Sequence, residues 1–139
     1  MATDPRLVAQ RWVRALTNHD LEATVSCFAP NYRDTAPARR GEFVEGRDQV
    51  RANFGALFES IIDLRADLLA TAIDGDTVWI EWRMSGTRAD GTAMEFVGVN
   101  VFDVQDDHFT GGRIYTELVR DAGGIDSQIE EMTHRRDGV

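Results

Sequence analysis

The stretch from Thr77 to Val104 constrains the fold of this chain more than any other. Val78, Ile80, Trp82 and Met84 alternate with Trp79, Glu81, Arg83 and Ser85. Gly86 to Ala93 breaks the run and carries Asp90-Gly91. A second alternation follows, with Met94, Phe96, Gly98, Asn100 and Phe102 set against Glu95, Val97, Val99, Val101 and Asp103. Period-two alternation on both sides of a Gly-containing loop predicts a long β-hairpin, Thr77–Gly86 paired with Met94–Val104. One face of its second strand is nearly all valine. The other mixes large apolar side chains with a glycine and Asn100. An amide among apolar neighbours finds hydrogen-bond partners or costs roughly 1–3 kcal/mol. Asn100 is therefore the most informative single residue in the sequence.

Helices come before this hairpin. Asp4-Pro5 reads as an N-cap followed by proline at the first helical position, and Val8, Ala9, Trp12, Val13 and Leu16 recur at helical spacing. Asp20 can cap a second, shorter helix carrying Leu21, Val25 and Phe28, which Pro30 would end. Asn31–Ala36 reads as a short strand with Tyr32, Asp34 and Ala36 on one face, and Pro37–Gly46 as a polar loop. Asp48–Ile61 has the apolar stripe of a third helix, in Val50, Phe54, Leu57, Phe58 and Ile61. Leu64–Ile73 reads as a strand, and Asp74-Gly75-Asp76 as a tight turn into Thr77. Beyond the hairpin, Asp106–Gly112 reads as a turn and Arg113–Val119 as the last strand. Ser127 and Glu130 have capping-box spacing for a short tail helix with Ile129 and Met132 as its apolar contacts. Helices followed by adjacent, mostly antiparallel strands give an α+β class, with helices on one face of a curved sheet.

The chain of 139 residues suits one domain, 1–139, with a core from about 7 to 119 and a tail over 120–139. A formal net charge of −9 disfavours nucleic acid and anionic membrane as partners. The single cysteine, Cys27, excludes an internal disulfide and suits a reducing compartment. No apolar run approaches the roughly 18 residues of a membrane span, and Met1–Arg11 has no signal-peptide core, so the expected location is cytoplasmic. His19, His108 and His134 lack metal-ligand spacing, and Gly111-Gly112 and Gly123-Gly124 lack the flanks of a phosphate loop. No metal and no cofactor are expected.

Several motifs together carry a family likeness: Val8-Ala9-Gln10-Arg11-Trp12-Val13, Asn18-His19-Asp20-Leu21-Glu22, Phe28-Ala29-Pro30-Asn31-Tyr32, Asp74-Gly75-Asp76-Thr77-Val78 and Glu81-Trp82-Arg83-Met84-Ser85-Gly86-Thr87. In this order they resemble the SnoaL-like branch of the nuclear-transport-factor-2-like superfamily, which includes polyketide cyclases and ketosteroid isomerase-like proteins. The resemblance runs from about Leu7 to Val119. It implies a cone: a strongly bent, largely antiparallel sheet around an apolar pocket, with helices closing the side. Trp82 and the Phe96, Gly98, Asn100, Phe102 face would look into the cone. The outer sheet face, with Trp79, Glu81, Val97, Val99 and Val101, would carry a homodimer contact.

The resemblance also assigns candidate roles. Ketosteroid isomerase sets a carboxylate base against an oxyanion hole. Its oxyanion-hole acid stands two residues before a phenylalanine, the place of Asn100 in Asn100-Val101-Phe102, and its oxyanion-hole tyrosine matches Trp12. Its base falls without gaps on Ala36, with Asp34 two residues earlier on the same strand face. In the SnoaL-like cyclases the base is a carboxylate on the last strand. Tyr115-Thr116-Glu117 resembles that motif, with glutamate where aspartate is usual.

Each candidate has a structural alternative. Asp34 is a base or a loop-capping aspartate. Glu117 is a base or lies on a solvated face. Asn100 is an oxyanion donor or a bonded structural amide. Trp12, Tyr32, Trp82, Phe96, Phe102 and Tyr115 are pocket walls or core filling. The expected ligand is a small hydrophobic molecule. The expected function is either cofactor-independent isomerase or cyclase chemistry next to a carbonyl, or non-catalytic ligand binding or dimerisation on the same fold. Epoxide hydrolysis would need an Asp-Arg-Asp set around a water, and alternation turns Arg83 away from the cone.

Overall fold

The computed structural model describes residues 4–121 and 123–134. The ends of the single-domain span, 1–3 and 135–139, lie outside the described residues, as does position 122. Helix α1 runs Pro5–Thr17, and Asp4 caps it by accepting from the Arg6 backbone N–H at 3.0 Å. Helix α2 is Leu21–Ser26, capped by Asp20 through the Ala23 N–H at 3.0 Å. Strand β1 is Phe28–Thr35, β2 is Phe43–Glu45, and α3 is Gly46–Ser60. Strands β3 Arg65–Asp74, β4 Thr77–Thr87, β5 Ala93–Gln105 and β6 His108–Leu118 follow, and helix α4 is Ile125–Thr133.

The six strands form one sheet in the order β2-β1-β6-β5-β4-β3. Every pairing is antiparallel except β1 with β6. The central hairpin pairs without interruption from Thr77 opposite Asp103 to Thr87 opposite Ala93. Helix α1 packs on β3 and β4, and α3 on β1 and β2. Between helices and sheet, the Trp12 ring sits edge-on to Phe28, Phe54, Phe102 and Phe109 at centroid distances of 5.7–6.5 Å. Such pairs contribute about 0.5–1.5 kcal/mol each beyond their buried area.

Four local readings change. Pro30 does not end α2, which stops at Ser26; it lies inside β1, where the pairing with β6 shifts register between Phe28 and Arg33 and needs no N–H from it. The loop Pro37–Gly46 contains the short strand β2, too brief for alternation to reveal. The Asp106–Gly112 turn shrinks to two residues, Asp106 and Asp107, with φ of +50° and +68°, a left-handed pair that aspartate tolerates. Gly112 instead lies within β6, where an added Cβ would stand 2.6 Å from the Val101 carbonyl oxygen. Finally, α4 starts at Ile125 with Gly124 at its N-cap and no side-chain cap, so Ser127 is inside the helix and forms no capping box. Ile129 and Met132 are exposed rather than packed.

Candidate functional site

A cavity of about 610 Å³ opens between the inner sheet face, α1 and α3. Its walls are mostly apolar, from Trp12, Phe28, Val50, Phe54, Trp82, Met84, Phe102 and Ile114. Alternation along β5 sends Asn100 inward with Phe102, and the amide is only 3% exposed. Its partners across the ladder are Ile80 on β4 and Ile114 on β6, so it has no polar neighbour on either side. Asn100 Oδ1 has no hydrogen-bond partner among the described residues, and neither do the indole Nε1 atoms of Trp12 and Trp82. All three residues line this one cavity.

The geometry of β5 explains why the three lie together. Trp82 is paired with Gly98, and its indole lies over that glycine: a Cβ there would be 2.6 Å from Trp82 Cζ2 and 2.9 Å from Cε2, the atom bonded to Nε1. Two residues on, Asn100 points to the same side. Two further on, Phe102 holds the Trp12 ring edge-on at 5.7 Å. Trp82 of β4, Asn100 of β5 and Trp12 of α1 therefore all lie against the inner face of β5. A buried polar group left unpaired costs about 1–3 kcal/mol, and three such groups belong to residues lining this one cavity.

The opposite wall is β1. The Tyr32 hydroxyl donates to Asp34 Oδ2 at 2.5 Å. Tyr32 is buried against Phe28, ring centroids 4.8 Å apart, which fixes that hydroxyl. Burial raises the Asp34 carboxyl above its ordinary pKa of 3.8, offset in part by the Tyr32 hydroxyl and by the Val44 backbone N–H. The Tyr32 phenol is pushed far above its usual range, first by burial and then by the neighbouring carboxylate, so it remains a donor. Asp34 pairs with Gly112, and Gly112 with Phe102. Asp34 therefore lies two strands from Phe102, with Asn100 two residues further along β5, and both line the same cavity.

Of the residues singled out in the sequence, Asp34, Asn100, Trp12, Tyr32, Trp82 and Phe102 line the cavity. Phe96 shares their face and packs against the core but does not line it. Tyr115 and Glu117 do not reach it. Ile114 faces in, so alternation turns Tyr115 and Glu117 to the outer face, opposite Val99 and Val97, and both are exposed. Glu117 lies 3.9 Å from the Arg120 guanidinium instead. Arg83 is also on the outer face, 3.2 Å from Asp67 and 3.9 Å from Glu95. Sequence reasoning missed Glu42, Gln49 and Asn53 at the cavity rim. The spacing of Gln49 and Asn53, beside Val50 and Phe54 on α3, was the available signal. Among the described residues no group of three His, Cys, Asp or Glu could hold a metal ion.

A family model of the SnoaL-like domain matches residues 9–112, most of the chain. The chain belongs to the SnoaL-like domain family. Its helices on a curved sheet are the cone of the nuclear-transport-factor-2-like superfamily. No curated protein matches this SnoaL-like domain. Solved structures do. A protein of ketosteroid isomerase-like fold from Catenulispora acidiphila, in complex with trimethylamine, has a TM-score of 0.67 at 19% identity, covering 78% of this chain and 83% of that one. A cystatin-fold protein from Novosphingobium aromaticivorans has a TM-score of 0.70 at 19% identity, covering 85% and 99%. An LEH-like epoxide hydrolase from M. tuberculosis has a TM-score of 0.70 at 16% identity, covering 84% of each chain. At such identities the likeness is one of fold.

Proposed function

We propose that this SnoaL-like domain is a cofactor-independent enzyme of isomerase or cyclase type, acting on a small hydrophobic molecule at a carbon next to a carbonyl. The observation that carries the reading is that Trp12, Trp82 and Asn100, each with a buried side-chain polar atom lacking a partner among the described residues, line one apolar cavity together with the Asp34 carboxylate. The Asp34 carboxylate removes the α-proton. The C–H electron pair moves into the enolate, and negative charge passes to the oxygen. The two indole N–H groups meet that oxygen, and a half-turn of the Asn100 amide adds its Nδ2. Asp34 then returns the proton at another carbon, or the enolate carbon attacks a second carbonyl of the same molecule. Burial suits Asp34 to this role, because a carboxylate held above its ordinary pKa is the stronger base.

The test is exchange of α-protons with solvent deuterium in a panel of cyclic 1,3-diketones and β-keto esters. The native chain is expected to accelerate exchange, and Asp34→Asn to lose on the order of 10²-fold or more. Binding without exchange would leave a ligand-binding module on the same fold.

We also propose that two copies pair through the outer sheet face. Val97 and Val99 lie at its centre, with Trp79 45% and Tyr115 42% exposed beside them. Register sets Arg83, Val97 and Glu117 in one row, Glu81, Val99 and Tyr115 in the next, and Trp79, Val101 and Arg113 in a third. A two-fold axis along β5 lays β4 of one copy over β6 of the other. Arg83 then meets Glu117 of the partner subunit, and Trp79 meets the partner's Arg113. An axis across the strands at the middle row would instead bring Glu81 against its own copy.

A further inference from the structure

We infer that the cavity takes ligands without negative charge and rejects carboxylate- or phosphate-bearing ones; the inference rests on the acid–base reading and names the substrate class of that same site. Among the described residues no arginine or histidine lines the cavity, whereas Asp34 and Glu42 do. Arg33 stands over the Phe43 ring at 4.6 Å and lies 3.8 Å from Glu45 on the outer side of β1. Arg47 donates to the Phe28 carbonyl at 2.7 Å. Arg39 and Arg40 lie in the turn before Gly41 and are not part of the wall. The chain as a whole carries −9, so its field repels anions before they arrive.

The reaction itself reinforces the rule. When Asp34 takes a proton from a neutral ketone, the negative charge moves from the carboxylate to the enolate oxygen. The net charge of the cavity is the same before and after, and the two indole N–H groups, with the Asn100 amide turned to present Nδ2, supply donors for the enolate oxygen. A ligand carboxylate would add a further negative charge beside Asp34 in an apolar volume of about 610 Å³, with no cation among the described residues that line it. At separations of roughly 8 Å and an effective dielectric near 20, the repulsion weakens binding roughly ten- to a hundred-fold. An amine-bearing ligand meets no such repulsion, and the aromatic walls accept it.

The test uses three ketones of similar size that share an acetyl group: 4-methylacetophenone, 4-acetylbenzoate and 4-(aminomethyl)acetophenone. Binding to the full chain at pH 8 is followed by calorimetry, with tryptophan fluorescence as a second readout because Trp12 and Trp82 line the cavity. The carboxylate is expected to bind at least ten-fold more weakly than the methyl compound, and the amine no more weakly. Asp34→Asn and Glu42→Gln should each narrow the carboxylate gap. A carboxylate that binds as tightly as the methyl compound, or a gap unchanged in both variants, overturns the inference. The ranking is read without turnover. An absence of deuterium exchange with the ranking intact would sink the catalytic reading alone, and exchange with the ranking reversed would sink only the charge rule.

Discussion

The Trp82 indole lies over Gly98, and a Cβ on Gly98 would stand 2.6 Å from its Cζ2 and 2.5 Å from the Tyr115 carbonyl oxygen. Neither neighbour is a flexible chain end. Gly98→Ala must therefore push Trp82 out of line with Asn100. The expected cost is roughly 1–3 kcal/mol of stability, with weaker binding of neutral ketones. A urea midpoint and a calorimetric titration of the variant check both effects.

Asn100 offers a separation of function from stability. Its amide is 3% exposed with an unpaired oxygen, so an apolar side chain of similar size removes a desolvation cost. Asn100→Leu is expected to unfold at the same urea concentration as the native chain or higher. Its exchange rate should fall on the order of 10²-fold, as for loss of an oxyanion donor. A variant that loses stability and keeps its rate would make Asn100 a structural amide.

The Tyr32–Asp34 pair governs the pH dependence. Burial raises Asp34, and the Tyr32 hydroxyl pulls it back down. The rate should rise as Asp34 ionises, with its acid limb above 3.8, the ordinary carboxylate value. Tyr32→Phe removes the donor, so the limb should move to higher pH. Stability has the opposite slope. The folded chain binds the Asp34 proton more tightly than the unfolded chain, so this group's contribution falls as pH rises from 3.8 through the folded value. Asp34→Asn should consequently melt no lower than the native chain at neutral pH, and the difference should vanish in acid. Exchange profiles and melting curves across pH read both signs.

The outer face makes its own prediction. If Arg83 meets the partner's Glu117, then Arg83→Glu should shift sedimentation at micromolar concentration toward monomer. Arg83→Glu combined with Glu117→Arg should restore the dimer. A native chain that is already monomeric, or a double variant no better than the single one, contradicts the two-fold arrangement.

Much of this was legible in the residues. Alternation in Thr77–Val104 placed the hairpin and sent Asn100 to the inner face, because a period of two leaves no freedom once one face is apolar. Capping aspartates marked α1 and α2, since each satisfies a backbone donor locally. On β6 the sequence left Glu117 open between a base and a solvated face, and Ile114 lining the cavity sets both Tyr115 and Glu117 on the outer face. Gly111 and Gly112 read as a turn although close approach of β1 and β5 is what requires them. Single-strand periodicity carries no record of such contacts across a sheet. The unpaired indoles were illegible for the same reason, as they depend on side chains from separate elements meeting around one volume, whereas Tyr32 and Asp34 already shared a face of one strand.

The most direct test is the structure of this chain bound to a phenol, which presents an enolate-like oxygen on a flat ring. The account predicts the phenol oxygen within about 3.2 Å of at least two of Trp12 Nε1, Trp82 Nε1 and the Asn100 amide, with the ring extending toward Asp34. A phenol whose oxygen bonds to Asp34 while all three of those groups stay unpartnered, or one that binds outside the cavity, would contradict it.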